Sequence, residues 1–325
     1  MASRRDFDHL VRAVVPLILK YPKVALTLGG IVVVVLLVAY LFKDRPNTST
    51  AAGSAPPGTY LLCSWNVENF FDDRDDANIR DDSDDWFGTD PAAFRQKVDH
   101  LATGLLLMNG GAGPDIACLV EVENERCLEA LRDAVNAKLD AAGLGDKKYT
   151  HIVFRQDNTG RHFAPGILTR LPVVADRTRK LGGRSNGRIL EGHITANGHD
   201  LAVIVAHWTS RVTDDKEEGT RRLSYANDCY GRVREIVTAN PDADVLLCGD
   251  FNDNFRDRSL QEGLRATDNT DDVKMLSDEP RLLALFAGWK GGGGRPPGTI
   301  YHNGSWSVFD HICVTRGLLD DAGWT

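Results

Sequence analysis

Apolar positions in this chain fall into short runs, and several of these runs stop at a polar residue able to do chemistry. Tyr60 to Trp65, Ile116 to Val120, Tyr149 to Phe154, Ala164 to Thr169, Arg188 to Thr195, Leu201 to Ala206 and the run from Val245 to Gly249 each have the length and apolar content of a buried strand. Between them the period lengthens toward that of a helix. Pro91 to Met108 reads as a helix with Asp90 as its cap and proline at its first position, and further helices are expected over Asn124 to Ala142 and about Glu217 to Ala239. Strands and helices mixed in this order predict packed sheets flanked by helices, rather than one purely parallel doubly wound sheet.

The first segment follows a different pattern. Val24 to Phe42 carries no charged residue and approaches the ~20 apolar residues that cross a bilayer. A cleaved signal peptide is the competing reading, but its apolar core is usually only ~7–15 residues. The run therefore reads as an uncleaved single-pass anchor. Arg4, Arg5, Arg12, Lys20 and Lys23 precede it, whereas only Lys43 and Arg45 follow closely, so the positive-inside rule keeps the N-terminus cytoplasmic. The expected organisation is a cytoplasmic segment 1–23, an anchor 24–42, a small polar linker 43–58 and a periplasmic or extracellular domain 59–325.

Composition narrows the picture little. Hydrophobic residues at 42% and charged residues at 26% are globular values, and a net charge of -8 excludes a generally basic, nucleic-acid-coating surface without excluding a local phosphate cleft. The six cysteines show no C-x-x-C spacing; Cys63, Cys118, Cys248 and Cys313 sit inside core-like runs and read as buried free thiols. The acidic stretch Asp72 to Asp90 lacks the spacing of a calcium loop and reads as a solvated loop, and Gly291 to Gly298 reads as a mobile loop beside a cleft.

Strand ends carry the chemistry. Asn66, Glu121, His207 and the pair Asp250 and Asn252 each stand where an apolar run stops. Gly-Asp-Phe-Asn-Asp alone would be an ordinary turn, and a lone histidine is more often structural. Together these residues suit phosphodiester hydrolysis, in which water needs a base while negative charge builds on phosphate and leaving oxygen. Glu121 and Asn66 fit the few protein oxygens that hold Mg²⁺ or Mn²⁺. Asp250 suits orienting or deprotonating the water, Asn252 holding a phosphate oxygen, and His207 donating to the phosphate.

The segments N-V-E-N-F-F-D at 66–72, D-I-A-C-L-V-E-V-E-N at 115–124, G-I-L-T-R-L-P at 166–172, A-H-W-T-S-R at 206–211, L-C-G-D-F-N-D at 247–253 and F-D-H-I-C-V-T at 309–315 resemble the endonuclease/exonuclease/phosphatase superfamily, with its deoxyribonuclease I-like fold, and within it the bacterial extracellular-nuclease-like branch. The resemblance implies an α/β four-layer α-β-β-α sandwich with two mixed sheets and its site at one end. It implies divalent-metal-dependent cleavage of a phosphodiester substrate, nucleic acid included, with Asn66 and Glu121 on the metal side. Asp250, Asn252 and His207 are implied to be catalytic, and Arg211 to contact a phosphate oxygen; the opposing reading of Arg211 is a structural ion pair. No protein partner can be inferred from the sequence.

Members of that superfamily carry two C-terminal motifs, and Phe309 to Ile312 fits the earlier one. On that alignment Asp310 is a catalytic carboxylate that orients a histidine, His311 is structural, and the final Ser-Asp-His strand is absent before Thr325, so the chain reads as C-terminally incomplete. Two readings of function are carried forward. One is a membrane-tethered, nuclease-like phosphodiester hydrolase. The other is a catalytically impaired phosphate-binding module, or a phosphatase of lipid headgroups or inositol phosphates.

Overall fold

The computed structural model describes residues 58–74, 90–156, 162–182, 188–211, 219–292, 294–302 and 304–324. The expected N-terminal segment 1–23, the anchor 24–42, residues 43–57 of the linker and residues 75–89 of the acidic stretch lie outside the described residues. Among the described residues, no helix is long and apolar enough to cross a membrane.

The N-terminal half of the domain runs β1 (Leu62–Phe70), α1 (Pro91–Leu106), β2 (Ile116–Val122), α2 (Glu125–Ala141), β3 (His151–Phe154) and β4 (Ala164–Thr169). Its strands form one mixed sheet in the order β1-β2-β4-β3, parallel at β1–β2 and antiparallel elsewhere. The C-terminal half runs β5 (Arg179–Lys180), β6 (Ile189–Ala196), β7 (His199–His207), α3 (Thr220–Ala239), β8 (Asp244–Asp250), β9 (Ala266–Thr267), α4 (Thr270–Lys274), β10 (Leu282–Ala284), β11 (Ile300–His302), β12 (Ser305–Ser307) and β13 (Asp310–Val314). A second mixed sheet has the order β5-β6-β7-β8-β13-β10-β9, and β11 with β12 makes a separate hairpin.

Three apolar layers hold the elements together. Ala117, Leu119 and Val122 of β2 face Phe94, Leu101 and Leu105 of α1 and Leu128, Leu131 and Val135 of α2. Ile116, Cys118 and Val120, from the opposite face of the same strand, meet Leu190, Val203, Val205 and Cys248 of the second sheet. The outer face of that sheet packs Ala202, Ile204, Val245 and Leu247 against Ala226, Cys229 and Val233 of α3. The order helix, sheet, sheet, helix is the expected four-layer arrangement. It explains why the central strands read as unbroken apolar runs, since both of their faces are covered.

The helix signals act locally as read. Asp90 accepts hydrogen bonds from the backbone N–H groups of Ala92 and Ala93 at 3.0 Å each, and Asn124 caps α2 by accepting from Cys127 N–H at 3.1 Å. All six cysteines are free, and all but Cys63 are buried. The acidic stretch departs from expectation at its start: Asp72 is buried, its N–H donates to Glu123, and its carboxylate takes Asn124 Nδ2 and Arg126 Nη1, both at 3.0 Å. The strands β9 and β10 are two and three residues long, too short for any period to show in sequence.

Candidate active site

Strand ends from both sheets meet at one rim of the sandwich. In the parallel pair β7–β8, His207 lies opposite Asp250, and in the antiparallel pair β8–β13 Asp250 lies opposite Asp310. The first sheet contributes β1 and β2, in which Asn66 lies opposite Val120, one residue before Glu121. Contact between the sheets closes the cluster: Asn66 Nδ2 donates to Glu121 Oε1 and to Asp250 Oδ2, each at 3.0 Å. His207 Nε2 is 3.7 Å from the same Glu121 oxygen. Asn66, Glu121, His207, Asp250 and Asp310 are therefore neighbours in space although 244 residue numbers separate the first from the last (310 − 66).

Local backbone irregularity aims these groups. Register slips on both sides of β2 near Glu121, whose φ is +66°, so this residue is the extra one of a bulge. Without the slip Val122 would face the other sheet with Val120; instead it joins the helix-side core and Glu121 is released to the rim. A matching slip on β1 puts Glu68 and Asn69 at φ +53° and +57°, and Asn69 N–H donates to Glu121 Oε2 at 2.8 Å. Strand β1 consequently continues to Phe70, five residues beyond the end that its apolar run suggests (70 − 65). Such strained conformations persist where the surroundings impose them.

On β8, Gly249 makes the turn toward the rim. Its φ is +135°, and a Cβ there would stand 1.9 Å from the carbonyl oxygen of Ala206 on the adjacent strand. Gly249→Ala is expected to destabilise the domain by more than ~1 kcal/mol, because the new residue cannot adopt the native backbone and the β7–β8 pair must spread. Urea unfolding checks it; an unchanged midpoint would show that the strand pair yields freely.

The carboxylates border a common cavity. A cavity of about 320 Å³ is lined by Asn66, Glu68, Asp250, Thr299, Phe309 and Asp310, among others. Burial and then the negative charge of Asp310 push the Asp250 carboxyl above its usual range, against the hydrogen bonds it accepts from Asn66 and the N–H of Asn252. Burial likewise raises Asp310. Lys97, on α1, supplies a nearby cation that the sequence pattern does not single out: its Nζ donates to Glu68 O at 3.0 Å, and burial lowers its pKa while Glu68 and Glu121 oppose that shift. A lysine on a helix face reads as ordinary surface until the bulged end of β1 is placed above it.

Two predicted residues sit differently from the others. Asn252 is buried; its Nδ2 donates to Trp208 O at 3.0 Å and its N–H to Asp250 Oδ1 at 2.9 Å, so here it fixes Asp250 in place. Arg211 Nε donates to Asn252 O at 3.0 Å, and its Nη2 binds Asp253 at 2.8 Å and Asp257, which is the structural alternative foreseen for it. Asp253 also takes Arg222 at 2.9 Å and Ser259 at 2.6 Å, tying down the loop after β8. His311 is turned into the core, stacked on Phe251 with Nε2 2.9 Å from Asp253 O, and burial lowers its pKa. Asp310, one residue earlier on the strand, faces the cavity.

Among the described residues, no group of three or more His, Cys, Asp or Glu side chains forms a ready-made metal cage. The donors at the rim are nevertheless hard oxygens, and Asn66 Nδ2 bridges the carboxylates of Glu121 and Asp250. Closely placed carboxylates held by neutral amide donors suit a small divalent cation that keeps most of its waters.

An acid-rich rim at the strand ends of a two-sheet sandwich is the layout of a hydrolase of the phosphoester-cleaving kind. The sequence profile of the Endonuclease/Exonuclease/phosphatase family matches residues 61–324, and the chain belongs to that family. No curated protein matches the sequence. Solved structures similar to it include truncated Caenorhabditis elegans TDP2, at 18% identity over 79% of this chain and 84% of that one, with a TM-score of 0.45. The human Nocturnin catalytic domain with bound sulfate is 15% identical over 79% and 83%, with a TM-score of 0.47. A Staphylococcus aureus beta toxin variant with bound magnesium ions is 15% identical over 80% and 85%, with a TM-score of 0.46.

Proposed function

We propose that this chain is a divalent-metal-dependent phosphodiester hydrolase of nuclease-like type, tethered to the membrane through 24–42 with its domain periplasmic or extracellular. The observation that carries the catalytic reading is the joining of Glu121 and Asp250, from different sheets, through one amide nitrogen of Asn66, with His207 and Asp310 beside them. The tether rests on the charge-free apolar stretch and the basic residues before it.

Glu121, with Asn66 beside it, would hold Mg²⁺ or Mn²⁺, which when bound supplies positive charge against the phosphate and the leaving oxygen. Asp250, fixed by the N–H of Asn252, accepts the proton of the attacking water and orients its lone pair. His207, with Nε2 3.7 Å from Glu121, is placed to donate to a phosphate oxygen. Asp310 lies opposite Asp250 across the strand pair, and its negative charge adds to burial in raising the Asp250 carboxyl.

The test uses the full chain in mild detergent with a generic phosphodiester and with DNA and RNA. Hydrolysis is expected with Mg²⁺ or Mn²⁺ and is expected to vanish with EDTA. Glu121→Gln is expected to raise the metal concentration needed for half-maximal rate by ~10-fold or more, as loss of one charged ligand weakens a hard-cation site. Wild-type chain that binds phosphodiesters yet turns none over under any divalent ion would instead make it a binding module.

A further inference from the structure

The hairpin of β11 and β12 belongs to neither large sheet, and it displays aromatic side chains to solvent. Tyr301 and Trp306 lie opposite each other across the hairpin, their ring centroids 5.3 Å apart, with 60% and 44% of their surfaces exposed. A buried aromatic pair would need no explanation, whereas an exposed one on a two-stranded projection has no structural task in the domain. The hairpin is also anchored at the active site: Thr299, just before it, accepts from the N–H groups of Phe309 and Asp310 at 3.0 and 3.2 Å, and both Thr299 and Ile300 line the cavity that holds Asn66, Asp250 and Asp310.

We infer that the Tyr301–Trp306 hairpin is a stacking platform for the nucleobase next to the scissile phosphate, and that the site accepts a single-stranded nucleic acid segment. This rests on the phosphodiesterase reading of the same cavity. An aromatic pair on a hairpin whose base lines the acid-lined cavity of about 320 Å³ matches a polymer that alternates bases with phosphates. Lys290 and Arg295 lie on the segment leading into the hairpin; both are exposed, with no ion-pair partner among the described residues, and they suit the flanking phosphates. Stacking is indifferent to sequence, because every base has a π face.

The competing occupant is a lipid surface, since tyrosine and tryptophan also favour bilayer interfaces. Two observations favour the nucleic acid. Among the described residues of the hairpin, the exposed large apolar side chains are Ile300, Tyr301 and Trp306, interrupted by Gly304 and Ser305, rather than a broad patch. The described domain begins at Gly58 to Leu61, where Tyr60 packs at a tilt against Trp324 with ring centroids 5.1 Å apart, and β1 then runs away from that end toward the site. The described domain therefore begins at the end of β1 away from the cavity residues Asn66 and Glu68.

The full chain in mild detergent, with EDTA present so that nothing is hydrolysed, is titrated with fluorescein-labelled oligothymidylate and with an abasic oligomer of equal phosphate count. Wild type is expected to prefer the base-bearing oligomer. The double variant Tyr301→Ala, Trp306→Ala is expected to lose about 10- to 100-fold in affinity for it while binding the abasic one as before, and Trp306→Phe is expected to retain most of the preference. Equal wild-type affinity for the two oligomers overturns the inference, as does a double variant that binds like wild type. Quenching of tryptophan emission by brominated phosphatidylcholine in reconstituted vesicles that is lost in Trp306→Phe, with oligonucleotide binding independent of the hairpin, overturns it in favour of lipid. Metal-dependent hydrolysis of methyl p-nitrophenyl phosphate by wild type and double variant is read alongside: its absence in wild type sinks the phosphodiesterase reading, and its persistence in the double variant shows that the fold and cavity are intact.

Discussion

Asp250→Asn is expected to reduce metal-dependent phosphodiester hydrolysis by ~10²–10⁴-fold, the usual effect of removing a general base. Asparagine keeps the shape of the side chain, so the loss is expected in kcat more than in KM. The fold should not suffer. Asp250 and Asp310 are opposite each other on paired strands, both sheltered from water, and removing one of two like charges relieves their repulsion. The melting temperature of the variant in EDTA is therefore expected to equal or exceed that of wild type. Hydrolysis at the wild-type rate would show that the water is activated by another group. A lowered melting temperature would mean that the rate loss reports damage to the rim.

Glu191→Gln is expected to give the largest loss of stability, on the order of 3 kcal/mol, because it removes the fully buried charge that Arg232 and His193 share and leaves them their more exposed partners, Glu235 and Asp200. Glu191 has no exposed side-chain surface; it receives Arg232 Nε and Nη2 at 2.6 and 2.8 Å and lies 2.9 Å from His193 Nε2. His193 is equally enclosed, and its Nδ1 is 3.0 Å from Asp200. Burial alone would raise the Glu191 carboxyl, but hydrogen bonds from Arg232 and His193 outweigh it and bring the carboxyl down to about 2. For His193, burial lowers the pKa and the bonds to Asp200 and Glu191 raise it further, for a net rise. The Glu191 contribution is thus present above its ordinary pKa of 4.5 and fades as pH falls toward 2. The His193 contribution is full below 6.5 and fades as pH rises through its elevated folded value. The network is strongest between about pH 4.5 and 6.5, and urea unfolding across pH should show the gap between wild type and Glu191→Gln widest there. A gap independent of pH would mean that the loss comes from packing.

These two groups also show what could be read without coordinates. Asp250 ends a run of apolar residues at a glycine, and a strand end of that kind is visible in sequence. Glu191 and His193 alternate with Leu190, Gly192 and Ile194 in a strand read as simply apolar, and nothing local marks them as the centre of a buried ionic network. Their partners Arg232 and Asp200 come from α3 and β7, and only the packing of that helix on the sheet makes a charge tolerable there. Arg211 was ambiguous between a phosphate ligand and an ion pair because Asp253 and Asp257, which occupy it, lie more than forty residues away.

Local information determined the strands, the caps Asp90 and Asn124, the free buried cysteines and the polar residues at strand ends, since each depends on neighbours within a few positions and on burial. The family itself was legible because its motifs are short and continuous. Tertiary structure decided which of those polar residues meet. The bulge that releases Glu121, the continuation of β1 to Phe70, the placement of Lys97, the separation of Asp310 toward the cavity from His311 into the core, and the aromatic hairpin at the cavity mouth all depend on how one sheet registers against another. A side chain's role at this site follows from the face of the strand it occupies. A slip of one residue reverses that face, and the slip is set by pairing partners distant in the chain.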